Sequence, residues 1–327
     1  MFREHHEADE REKVDSVMLI DRERAYKIVH ERNAVQRKIA AFLYPAMQRF
    51  GFHITADHFY DITPNTELID RTYDYDERKV AFQIDGKKIA REFCEIVSTH
   101  CDDYKKHKST FGYDENNYYF RGIDALFYYA FLRKTAARRI IEVGQGSSTQ
   151  VALAALTQNA VEGVEKPILV SIDPHARLEL SEYPDKVEFR TIRETLQERV
   201  GYILENLSRS DLLFIDSSHV FKHRSDVRTL FEEVLPFIQP NAVVHFHDIF
   251  SPFDYPKSWM VRHRRFWNEQ YYLENFLAIN ESFSVVFPVH YLLRTCWEVK
   301  ALLKREMEGG DDSGSDLGSS FYIARVK

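Results

Sequence analysis

The chain has 327 residues, enough for two domains of about 150 residues or for one large α/β domain with additions. Hydrophobic residues make up 44% and charged residues 29%, which excludes wholesale disorder. The charge sum, 44 − 51 = −7, argues against a generally basic nucleic-acid binder. Aromatic residues reach 14%, with 24 Phe and 18 Tyr.

The N-terminus, MFREHHEADEREK, has no apolar core of a secretory signal, and no apolar run approaches the roughly 20 residues of a membrane span. Cys94, Cys101 and Cys296 show no C-x-x-C spacing and are expected to be reduced thiols of a cytoplasmic protein. From Val14 to Phe50, apolar residues including Val17, Ile20, Ile28, Val35, Ile39 and Phe42 recur mostly at three- and four-residue steps. That spacing predicts one or two amphipathic helices, packed on the main domain or on a second copy of the chain. Residues 51–66, GFHITADHFYDITPNT, read as an ordered loop, and a further helix is predicted from about Lys87 to Tyr104. Residues 1–110 are therefore expected to form a helical arm or cap, with 111–327 as the main domain.

From Ile123 onward, helix-like and strand-like segments alternate. Strands are predicted at Arg138–Val143, Pro167–Asp173, Lys186–Ile192, Asp211–Asp216 and Ala242–Asp248, separated mainly by helix patterns. That alternation predicts a parallel sheet with helices on both faces. A helix is predicted from about Ser258 to Ile279, carrying the basic run Arg262–Arg265. A strand at Phe283–Val289, a helix at His290–Met307, a mobile loop at about 308–319 and a last strand at Phe321–Val326 complete the chain. Phe59, Tyr60, Tyr113, Tyr118, Tyr119 and Phe120 are expected to lie outside the regular core, where they could stack on a ligand.

The most informative run is RRIIEVGQGSSTQVALAAL: a buried strand, a turn with Gly144 and Gly146, and a helix starting near Ser147. Glycines permit close backbone approach to a ligand, and the helix start offers unpaired N–H groups. The dinucleotide fingerprint G-x-G-x-x-G is not met, because Thr149 stands at the third position. Glu142, just before the turn, suits a cationic ligand by simple Coulomb sign. Asp173 ends the second strand, 29 residues after Gly144 (173 − 144), where a carboxylate can accept from both ribose hydroxyls; capping of the following turn is the alternative. The fourth strand runs into Asp216-Ser217-Ser218-His219 and the fifth into His245-Phe246-His247-Asp248. Two chemistries suit these residues. His219 can act as general base on a hydroxyl. Asp216 and Asp248, with His247, can hold a divalent metal such as magnesium. Histidines that only satisfy strand ends are the structural alternative.

The pattern E-V-G-x-G-x-S-T resembles motif I of the class I S-adenosylmethionine-dependent methyltransferases. Together with DLLFIDSSHVFKHRSDVRTLFEEVLPFIQPNAVVHFHDIF and SSFYIARV, it looks like the type-24 family, which includes proteins of surface-glycan synthesis. Asp216-x-x-His219 is similar to the metal-and-base element of macrolide-sugar O-methyltransferases, where the fifth strand ends Glu-Asp rather than His247-Asp248. The resemblance implies an α/β, Rossmann-like fold with a mostly parallel seven-stranded sheet whose last strand is inserted antiparallel. It implies S-adenosylmethionine as cofactor, held by Glu142, Gly144, Gly146 and Ser147 along the methionine moiety, by Asp173 at the ribose, and by Ser148 and Asp216. His219, Asp216 and Asp248 would be the catalytic residues. The expected acceptor is a small polar molecule or glycan, with no nucleic acid, no membrane span and a homo-oligomer formed through the N-terminal helices. The rivals are a nucleotide-dependent oxidoreductase and a non-catalytic S-adenosylmethionine-binding protein.

Overall fold

A computed structural model describes residues 34–56, 62–178, 180, 184–306 and 318–327. The chain divides into two compact units. The first comprises residues 1–73 together with Met260–Phe266. In it, residues 34–49 form helix α1, and α2 spans Thr66–Thr72, capped by the Asn65 side chain on the N–H groups of Glu67 and Leu68. On α1, Val35, Ile39 and Phe42 are exposed. His58, Phe59 and Tyr60 lie outside the described residues, as does the predicted helical segment before residue 34.

The second unit comprises residues 74–259 and 267–327, so the helix predicted near Lys87 belongs to the same unit as the sheet. In chain order its elements begin with α3 (Gly86–His107), α4 (Gly122–Lys134), β1 (Arg139–Val143), α5 (Ser147–Val161), β2 (Ile168–Ile172), β3 (Glu188–Ile192), α6 (Leu196–Asn206) and β4 (Leu212–Ile215). They continue with α7 (Asp226–Thr229), β5 (Val243–Phe246), α8 (Lys257–Val261, which straddles the two units), α9 (Glu269–Ile279), β6 (Phe283–Pro288), α10 (Val289–Thr295), α11 (Trp297–Glu306) and β7 (Phe321–Arg325). No described helix is long and apolar enough to cross a membrane.

The seven strands lie in the order β3-β2-β1-β4-β5-β7-β6. All neighbours are parallel except β7, which pairs antiparallel with both β5 and β6. Strand order reverses between β1 and β4, and ligands bind at the carboxyl ends of strands beside such a switch. One apolar layer joins α3, α4 and α5 to one face of the sheet, and a second joins α6, α7 and α9 to the other. This is the predicted arrangement, with the last strand inserted as expected. The cysteines are free thiols.

Several elements differ from their sequence reading, for tertiary reasons. Helix α4 is buried on every side from Gly122 to Arg133, and its rings pack on the sheet, with Phe127 stacked 4.4 Å from Phe93 and edge-on 5.4 Å from Tyr322. Much of the aromatic stock is thus core. Tyr113 and Phe120, expected outside it, are buried at 2% and 1% exposure, whereas Tyr118 and Tyr119 are exposed. The helix expected over Ser258–Ile279 is two helices with a break at 262–268, because the backbone of Asn268 and Glu269 is drawn to the loop after β4. The helix expected over His290–Met307 is broken at Cys296, which is extended. Helix α7 passes into a π turn at Leu230–Val234 and a 3-10 turn at Leu235–Phe237, where Pro236 has no N–H to continue it. Most of the loop expected to be mobile lies outside the described residues. Its end does not move freely, since the Ser319 N–H donates to both oxygens of buried Asp124.

Candidate active site

The site begins at the turn after β1. Gly144 has φ +91°, and a Cβ there would stand 2.1 Å from the carbonyl oxygen of Asp216. Only glycine allows this crossing of the β1 and β4 ends. Gly146 is extended and has open space around its Cα. Thr149 does structural work where a dinucleotide site carries glycine. Its hydroxyl accepts from the Gly146 N–H (3.1 Å) and donates to Glu142 Oε2 (2.6 Å). Ser148 donates to Glu142 Oε1, also at 2.6 Å. Glu142 is fully buried and ties the helix start to the strand from beneath.

Burial pushes the Glu142 carboxyl up to about 7 against these two hydrogen bonds. A carboxyl raised from 4.5 to about 7 on folding stabilises the fold in full below pH 4.5, and that stabilisation is lost as pH rises through 7. The swing is on the order of 3 kcal/mol at 1.36 kcal/mol per pH unit. The gap between urea midpoints at pH 5 and pH 8 is expected to narrow in Glu142→Gln, which keeps the shape and cannot ionise, with His219 and His247 supplying what remains; a gap as wide in the variant as in the wild type refutes this assignment.

A cavity of about 540 Å³ opens at the ends of β1, β2 and β4. That is the size of a small-molecule site. Gly144, Asp173, Asp216, Ser217 and Ser218 are among the residues lining it, whereas Glu142, Gly146, Ser147 and Ser148 are not. Asp173 already accepts from the N–H of Gln145 (3.0 Å) and of His175 (2.7 Å). Asp173 thus caps the turn and lines the cavity.

Asp216 has a second role. Its Oδ1 lies 3.2 Å from His219 Nε2 and 3.7 Å from His247 Nδ1. Asp248 Oδ2 is 3.7 Å from His219 Nε2, and its Oδ1 is 3.7 Å from His247 Nδ1. The structure thus brings Asp216, His219, His247 and Asp248 together. His219 (φ +57°) and Asp248 (φ +60°) both adopt the left-handed conformation that non-glycine residues rarely tolerate. His245 stands apart, fully buried, stacked 4.0 Å from Tyr322 and bonded through Nε2 to Ser320. Burial, and after it the charge of His247, holds its pKa well below the usual range.

Two residues of this cluster escaped sequence reasoning. Asp124 faces His247 Nε2 at 3.7 Å and holds the backbone of Ser319 and Ser320. A lone acid in the apolar stretch GIDALFYYAFL was a usable signal. Glu269, fully buried, places Oε2 2.9 Å from His219 Nδ1. Nothing in an ordinary helix start marked it.

Burial by itself would depress both imidazoles. For His219, hydrogen bonds with Asp216 and Glu269 and the charges of Glu269 and Asp248 outweigh that penalty and lift it to about 10. The charges of Asp248 and Asp216 raise His247 likewise. Asp216 is held far below the usual carboxylate range: the two imidazoles overcome its burial.

An α/β sheet in this order, with a glycine turn after β1, an acid after β2 and a carboxylate after β4 around one cavity, is a Rossmann-like arrangement with its cavity at the strand-order switch. Residues 141–249 match a family described as "Methyltransferase domain". Among solved structures, the chain is similar to an O-methyltransferase from Bacillus cereus in complex with SAH: identity is 15%, coverage 80% of this chain and 96% of that one, and the TM-score 0.39. It is similar to the SAH-bound methyltransferase PaMTH1 of Podospora anserina at 13% identity, covering 80% and 97%, with a TM-score of 0.36. For the O-methyltransferase TomG of Streptomyces achromogenes in complex with SAM, the values are 16%, 71%, 90% and 0.35. At such TM-scores none of these adds weight to the chain's own residues. No curated protein matches.

Proposed function

We propose that the chain transfers the methyl group of S-adenosylmethionine to a hydroxyl of a small polar acceptor, such as a sugar of a glycan or glycosylated metabolite, with His219 as general base. One observation carries this reading: Asp216 belongs both to the cavity lining and to the cluster of buried imidazoles and carboxylates. S-adenosylmethionine supplies a methyl group on a cationic sulfur. Asp173 offers its remaining lone pairs to ribose hydroxyls, and Gly144 lets the backbone approach the donor. In an in-line displacement the acceptor oxygen bonds to the methyl carbon and the carbon–sulfur bond breaks, its electrons staying on sulfur. The hydroxyl proton passes to His219 Nε2.

The lifted pKa of His219 sets a condition on this step. With about 10 for the free site, the imidazole is protonated at neutral pH and cannot accept a proton. Positive charge beside Asp216 competes for the same carboxylates and favours the neutral imidazole. The base is then released by the charged donor itself.

A divalent cation also fits these residues. Ligand atoms of Asp216, His219 and Asp248 lie within 4.8 Å of one another, and buried His247 Nδ1 has no hydrogen-bond partner among the described residues. Bound there, a cation would lower the pKa of an acceptor hydroxyl. The mixed nitrogen and oxygen donors suit manganese, iron or zinc better than magnesium. His219 Nε2 cannot serve as ligand and base together; with His219 as base, the nitrogen donor would be His247 Nδ1, 3.7 Å from an oxygen of each of Asp216 and Asp248.

Calorimetry with S-adenosylhomocysteine and NAD tests the reading: binding of the former alone is expected, and binding of NAD alone refutes it. Labelled-methyl transfer to a panel of sugars and glycosylated metabolites is expected to fall by about 10²–10⁴ in His219→Gln. Transfer unchanged by EDTA removes the metal.

A further inference from the structure

Helix α9 has Asn268 at its N-cap, but the Asn268 side chain does not cap the helix. The N–H groups of Asn268 and Glu269 donate to the carbonyl of His219 at 3.1 and 3.2 Å. The Asn268 side chain accepts from the Phe221 N–H at 2.6 Å and donates to the Phe221 carbonyl at 3.4 Å. Four hydrogen bonds thus clamp the strained turn after β4 to this helix start. The Trp267 ring lies 4.2 Å from the His219 imidazole. Glu269 Oε2 lies 2.9 Å from His219 Nδ1, while Glu269 Oε1 has no hydrogen-bond partner among the described residues.

Packing alone does not explain Glu269. A buried carboxylate loses its hydration and needs a specific partner, whereas glutamine or leucine would fill the same space at lower cost. The one partner the Glu269 carboxylate finds among the described residues is the nitrogen of His219 that faces away from Asp216 and Asp248.

We propose that Trp267, Asn268 and Glu269 form a cradle for His219, in which Glu269 holds the Nδ1 proton and so presents Nε2 to Asp216, Asp248 and the acceptor. The inference rests on the reading of His219 as base and deepens it. Glu269 is a positioning residue, since it acts through the imidazole. A carboxylate on Nδ1 fixes the tautomer and ring orientation, as in other carboxylate–histidine pairs. Trp267 covers one face of the ring and Asn268 locks the backbone that carries it.

The test uses the full-length protein, labelled with ¹⁵N-histidine and dialysed against EDTA. A proton bonded to His219 Nδ1 is expected far downfield of the amide protons, identified by its loss in His219→Gln. Glu269→Gln, which keeps the shape and a neutral acceptor, is expected to retain this proton with an upfield shift. Glu269→Ala is expected to lose it or to exchange it at least tenfold faster, and Trp267→Ala to speed its exchange. A signal with the same shift and exchange rate in the wild type and in both Glu269 variants overturns the cradle. A wild-type protein that does not bind S-adenosylhomocysteine overturns the functional reading alone, and the Nδ1 signal still decides the cradle.

Discussion

Asp216→Asn is expected to weaken S-adenosylmethionine binding by about tenfold or more while changing S-adenosylhomocysteine affinity little. The two ligands differ by one methyl group and one positive charge, so their affinity ratio reads the electrostatics of the site with shape held constant. Asp216 borders the cavity and stays ionised, held low by His219 and His247. At an effective dielectric of about 20, a charge pair at 4–6 Å interacts by roughly 3–4 kcal/mol. Proton loss from the neighbouring imidazoles offsets part of this, which leaves the tenfold figure. The asparagine keeps the volume and one acceptor, so a general collapse of the cavity would weaken both ligands together. Methyl transfer is expected to drop further than binding, by about 10²–10³, because the carboxylate also positions His219. Calorimetry with both ligands checks the first claim: an unchanged affinity ratio would place the sulfonium away from Asp216.

Gly144→Ala is expected to cost about 2–6 kcal/mol of stability and to abolish donor binding. Two separate penalties meet at this residue. Its φ of +91° is strained for any side chain, at roughly 1–3 kcal/mol. The added methyl would also lie 2.1 Å from the Asp216 carbonyl, forcing apart the ends of β1 and β4 where overpacking costs roughly 1–3 kcal/mol or more. The neighbouring backbone cannot yield cheaply, since the Asp216 N–H donates to the Val143 carbonyl and the Gly144 N–H to that of Ile172. Gly146→Ala is the matched control. Its backbone is extended and nothing lies within 4 Å of the new carbon, so a loss below about 1 kcal/mol is expected. Urea denaturation of the two variants separates them, and equal midpoints would refute the steric account.

The framework of the domain was legible because local pattern and tertiary role agree in it. Strand segments of β-branched and aromatic residues alternating with helix patterns bury themselves as a parallel sheet covered by helices on both faces, and the glycine turn sits where such a sheet opens. The residues at the ends of β1, β2, β4 and β5 could therefore be named from order alone. Glu142 shows the limit of that reasoning. Its place before the turn suggested contact with a cation, but its side chain points beneath the turn, to Ser148 and Thr149. Alternation along a strand decides the face of a side chain, and a position in sequence does not say which face holds the ligand.

By itself, the sequence determined the parallel sheet with helices on both faces, the glycine turn after β1 and the strand-end residues Asp173, Asp216, His219, His247 and Asp248. These follow from periodicity and from short-range turn geometry, both properties of contiguous residues. Only the tertiary structure decided that Asp124 and Glu269, 145 positions apart (269 − 124), face the two imidazoles of one buried cluster. It also decided that the helix predicted from Ser258 breaks so that Glu269 can reach His219. Burial decides these two because the cost of hiding a charge is met only by the partners that folding brings to it from remote parts of the chain.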